Sequence, residues 1–209
     1  MTVAAARVEL HRPLPPEDAA RGDFYALLGR LLYAAPDAAL LAALAGADPI
    51  PATANADLAR AWEALTRASS AMDEDAAAEE YDNLFAGVGK APVSIYAGHY
   101  LGAPALDHPR VRLQEEFSAF GLGRKAGYNE PEDHCAMLFE VMRLLVAGGK
   151  DRAPAAIAEQ RRFFDAFLRQ GATKFFDALT KAEKSNYYRR VAALGLAFMA
   201  IEAESFELD

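Results

Sequence analysis

The spacing of the apolar residues constrains this chain more than any other feature, because they return every three or four positions rather than every second one. Phe24, Leu27, Leu28, Leu31 and Leu32 fall on one helical face, as do Leu58, Trp62 and Leu65, and the apolar periodicity returns later through Val111, Leu113, Phe117 and Phe120. Each such stripe must be covered by another helix. No run of alternating β-branched residues resembles a sheet strand. The chain therefore reads as all-α, a single globular helical bundle of about nine or ten helices. At 209 residues, 53% of them hydrophobic, it is long enough to bury one sizeable core.

Residues 1–16 read as a flexible arm stiffened at its end by Pro13, Pro15 and Pro16, and 17–209 as the helical domain. Helices are expected over 17–36, 37–45, from 55 and from about 73, then over 109–122, 154–170, 173–182 and 185–204. Glu17 and Asp18 suit the positive end of the first helix. Between Gly87 and Pro104 the stripe is lost in a stretch rich in Gly, Pro and aromatics, the longest candidate for an ordered loop.

A formal net charge of -8 argues against a nucleic-acid partner, which requires clustered Lys and Arg. The single cysteine, Cys135, allows no internal disulfide and no thiolate cage within one chain. No segment reads as a secretory leader or as a membrane span, so the expected location is the cytoplasm, without stable membrane insertion.

The densest chemistry lies in YNEPEDHCAMLFEVMRLLVAG, from Tyr128 to Gly148. Asn129 and Glu132 have capping-box spacing, and Pro131, Glu132 and Asp133 suit a first helical turn. His134, Leu138, Val141 and Leu145 share a face, widened by Met137 and Leu144, so His134 sits where the apolar stripe meets the helix start. Structurally this is a hydrogen-bonded histidine at a helix end. Zinc-protease spacing fails because Leu138 stands where a second histidine would be needed, and no metal or other cofactor is expected. Adjacent helical residues point about 100° apart, so His134 and Cys135 make no dyad. GVGKAP lacks P-loop spacing and a preceding strand.

These residues resemble those of the redox-enzyme maturation chaperones, the family of the trimethylamine-oxide-reductase and dimethyl-sulfoxide-reductase chaperones and the nitrate-reductase assembly factor. The resemblance favours the trimethylamine-oxide-reductase branch and runs from about Phe24 to Glu202. It rests most on a Glu-Pro-x-Asp-His motif at Glu130, Pro131, Glu132, Asp133 and His134, followed by Glu140 and Met142. YDNLFAGVG, YAGHYL, EQRRFFDAFL and YYRRVAALGLAFMAIE match further family segments. Ala97 and Gly98 depart from it where an acid and a serine are common; so do Leu138, Phe167 and Gly171.

The resemblance implies an all-helical cytoplasmic binding protein, not an enzyme. It would hold the twin-arginine signal peptide or the body of a molybdoenzyme subunit back from export until its cofactor is inserted. Such a peptide carries guanidinium groups beside an apolar segment, so its receptor needs carboxylates beside a greasy groove. Glu130, Glu132 and Asp133 at the rim of the Met137, Leu138 and Val141 face are expected to supply both. Asp133 would accept hydrogen bonds from a client arginine or the neighbouring loop, His134 would orient that contact, and Tyr128 and Pro131 would shape the hinge. Two other readings stay open: a small helical enzyme using Asp133 and His134 as an acid–base pair, and a nucleotide-responsive regulator. The loop over 87–104 and the turn before Pro131 are hinges through which helices could be exchanged in a homodimer.

Overall fold

A computed structural model of the protein describes residues 13–86, 91–102, 109–123, 131–150 and 152–208. The expected arm therefore lies largely outside the described residues. Helix α1 (Pro16–Tyr33) begins on a proline at its first position, where the missing N–H costs nothing. Three following helices start on the side chains the sequence marks out. Asp37 accepts the Leu40 N–H at 2.8 Å to open α2 (Ala38–Ala45), Asn55 accepts from Asp57 and Leu58 to open α3 (Ala56–Ala71), and Asp73 accepts from Ala76 to open α4 (Glu74–Tyr81). A π-helical turn, Asp82–Ala86, extends α4.

The presumed loop is only partly irregular: within it a single helical turn, α5 (Gly98–Leu101), packs against later helices. Then come α6 (Pro109–Ala119), α7 (Cys135–Ala147), α8 (Ile157–Phe163), a π-helical stretch Phe164–Ala172, α9 (Thr173–Lys181) and α10 (Tyr187–Leu208). No strand forms among the described residues, and the fold is all-α as expected. Nor is any described helix long and apolar enough to cross a membrane.

Two expected helices, 154–170 and 173–182, are one unbroken rod from α8 through the π stretch into α9. The inward residues explain it: Phe163 and Phe164, Phe167 and Leu168, Gly171 and Ala172, Phe175 and Phe176, then Leu179, recur every four positions and are all buried. On a 3.6-residue helix such a stripe drifts by about 40° per repeat, and wider π winding turns it back toward the core.

The core centres on α7, which lies along α1 and carries fully buried Leu138, Phe139, Met142 and Leu145. The last helix, α10, packs between α3 and α9. Its approach to α9 is close enough that a Cβ on Gly195 would run into the Phe176 ring. Polar contacts fix the register. Arg21 of α1 forks onto Glu202 of α10 at 2.8 and 2.9 Å, and the Tyr25 hydroxyl donates to the same carboxylate at 2.7 Å. Tyr81 and Tyr188 donate to the carbonyls of Leu31, Leu32 and Tyr33, which end α1 without intrahelical partners.

Candidate functional site

The start of α7 is set by a contact far away in sequence. Cys135 donates its N–H to the Ile95 carbonyl at 2.9 Å, and Ala97 donates to the Asp133 carbonyl at 2.7 Å, a two-residue antiparallel bridge between Tyr96 and His134. Pro131, Glu132 and Asp133 consequently form a turn before the helix instead of its first turn, and α7 begins at Cys135. The cap is His134, whose Nδ1 accepts the Ala136 N–H at 3.2 Å. The capping box expected from Asn129 falls on a residue outside the described ones. Tyr128 and Glu130 lie outside them too.

The site residues that are described divide into two groups. His134 is buried, with Tyr96 standing edge-on to its imidazole at 5.7 Å between ring centroids and Tyr33 at 6.4 Å. Asp133 is also buried; its carboxylate lies where a Cβ on Gly98 would stand 2.6 Å from Oδ2, so the absence of a side chain at position 98 makes room for it. Pro131 is half-buried and its carbonyl accepts the His134 N–H at 3.1 Å. Glu132 alone of the described acids in the motif reaches an open surface.

That surface is a groove of about 830 Å³ between α1, α6 and α7. Its apolar wall on α7 is Met137, Val141 and Leu144; Phe117 and Leu122 face them from α6 and the turn after it, and Ala26, Gly29 and Tyr33 complete it on α1. Leu138, expected in this face, points into the core instead and is fully buried. Asp133 does not line the groove either. Polar groups mark its edges: Glu132, Arg30, and Glu140, which chelates Arg143 through two hydrogen bonds of 2.7 Å.

Arg110, in the first turn of α6, ties the groove to the turn behind it. Its guanidinium stands 3.6 Å from Glu132 Oε2 and 3.6 Å from Asp133 Oδ1. Sequence reasoning missed this residue, yet a signal exists: α6 carries Arg110 and no acid in its first turn, where the helix dipole disfavours a cation. Such a cation needs acids from elsewhere.

The buried groups here are poor reagents. Burial pushes the Cys135 thiol far up, with the Asp133 charge adding to the effect, so no thiolate nucleophile is available. The Tyr100 hydroxyl is likewise pushed up, to about 12, mainly by burial, and donates to the Ser94 carbonyl at 2.9 Å. Among the described residues no three His, Cys, Asp or Glu side chains gather as a metal ion would require. What the geometry offers is recognition: an apolar channel with carboxylates and a guanidinium at its edge.

Comparison with known proteins places these features in a wider setting. The family model described as nitrate reductase delta subunit matches residues 52–177, which include α3 through most of α9 and the motif turn. The chaperone protein TorD of Aliivibrio fischeri is 24% identical over 141 residues, spanning 63% of this chain and 66% of that protein's length.

Proposed function

The chain belongs to the nitrate reductase delta subunit family, and from that premise we propose that it is a maturation chaperone, a cytoplasmic binding protein without turnover. Its client is a molybdoenzyme subunit carrying a twin-arginine signal peptide, which it holds back from export while the cofactor is inserted. The observation that carries the reading is the groove, where the Glu132 carboxylate stands at the end of an apolar wall of Met137, Val141 and Leu144. A twin-arginine peptide presents the complementary order, guanidinium groups and then an apolar segment. The similar TorD is named a chaperone, and the proposal extends that role to this chain.

In this reading the motif residues do different work. Glu132 meets the client; Asp133 and His134 fix the turn and helix that present it; Pro131 closes that turn; Glu130 and Tyr128 extend the client surface on the strength of the sequence motif. The test is co-purification of the tagged full chain from cells expressing their molybdoenzymes, beside Glu132→Gln and Met137→Glu. A precursor still bearing its signal peptide should accompany the wild type and be depleted from both variants. Its absence from the wild-type sample would contradict the proposal.

A further inference from the structure

Among the described residues the groove is lined by two carboxylates, Glu132 in the turn before α7 and Glu140 within that helix. Glu140 follows the helix start at Cys135 by about 7.5 Å of rise, so it stands beside the wall of Met137, Val141 and Leu144 rather than at its end. Its side chain is 44% exposed. Arg143 fixes its orientation: Nε donates to Oε2 and Nη2 to Oε1, each at 2.7 Å. Those bonds use one acceptor position on each oxygen, and an ionised carboxylate has about four, so each oxygen keeps a second for a ligand. Arg30, the cation that lines the groove with it, is turned to the end of α1, donating to the carbonyls of Ala34 and Ala35 and to Asp37 Oδ2.

Adjacent residues of an extended peptide point to opposite sides, so the guanidinium groups of paired arginines diverge. They need carboxylates set apart along the groove, not one shared acid. We infer that Glu140 accepts one of the client's two arginines, leaving the other to the motif end of the groove. This rests on the chaperone reading above and adds to it a second point of charge recognition. Glu140 keeps Arg143 throughout, because the client's guanidinium uses the acceptor positions that Arg143 leaves open. A half-exposed carboxylate gives such a contact a modest strength, so it acts by telling a paired arginine from a single one.

The experiment is calorimetric titration of the full chain, wild type and Glu140→Gln, with synthetic peptides that share one apolar segment. One peptide carries two adjacent arginines before that segment; in each of two others, one or the other arginine is glutamine. Thermal melts confirm that both proteins are folded. Glu140→Gln should weaken binding of the paired-arginine peptide by about threefold or more, and that loss should shrink with at least one of the glutamine peptides, the one that lacks its arginine. A folded variant that binds the paired peptide as tightly as wild type overturns the assignment while leaving the chaperone reading in place. So does a loss of the same factor with every peptide, which marks Glu140 as merely structural. Absence of binding of any peptide by wild type overturns both. Should Glu140→Gln fail to fold, Glu140→Asp withdraws the carboxylate while keeping its charge, and the same pattern of losses decides.

Discussion

Gly98 and Asp133 show how one missing methyl group shapes the site. The carboxylate occupies space a side chain at position 98 would need, with Oδ2 2.6 Å from the place of its Cβ. Gly98→Ala should push the carboxylate off the loop, loosen the bridge at Ala97 and lower stability by about 1–2 kcal/mol; urea unfolding of the variant against wild type checks this. The motif itself is legible in sequence, and it locates the turn beside the groove. Its helix start is not. Asn129 with Glu132 satisfies the local rule for a cap and His134 does not, yet His134 takes the position, because the Ile95 carbonyl accepts the Cys135 N–H, a contact no local rule contains. Leu138 is a similar case: helical spacing puts it near Val141, but only the packed neighbours of α7 decide which of the two looks into the groove.

Among the elements, helices that begin on their own side chains start where the sequence puts them, whereas α10, expected from 185, starts at Tyr187 on a cap from another element. Asp37, Asn55 and Asp73 each accept an N–H two or three residues ahead, so the starts of α2, α3 and α4 lie where the sequence puts them. The long α10 instead borrows its cap from α4: Glu80 accepts the N–H groups of Asn186, Tyr187 and Tyr188 at 2.8–3.0 Å, across 106 to 108 residues. This carboxylate both satisfies orphan donors and sits at the positive end of the helix dipole. Glu80→Ala should therefore cost about 1–3 kcal/mol, with amide exchange rising first at residues 186–188; unchanged exchange there would count against the cap. The joined rod of α8 and α9 went unseen for a different reason. Gly171 looks like a stop, but a period-four apolar stripe keeps the chain helical through it by π winding.

At the scale of the whole molecule, α1 and α10 are held in register by the Arg21, Glu202 and Tyr25 contacts, while α7 and α1 together with α6 enclose the groove. Tyr25 and Tyr188 are buried hydroxyls whose pKa values are raised well above the ordinary tyrosine value, first by burial and, for Tyr25, also by the Glu202 charge. The native state keeps these protons where the unfolded chain releases them near pH ~10. Their contribution is therefore complete below that pH and is lost as pH rises above it. Urea midpoints should fall above pH ~10, and part of the tyrosinate absorbance should appear only together with loss of helical circular dichroism; tyrosinate that forms completely before unfolding would contradict the burial. We propose that the groove between α1, α6 and α7 takes the apolar segment of an arginine-bearing peptide. Calorimetric titration of that peptide into wild type and Met137→Glu tests it most directly, since the variant places a charge on the apolar wall while the other walls remain. Affinity should fall by about tenfold or more in the folded variant; equal affinity of the two proteins would show that the peptide binds elsewhere.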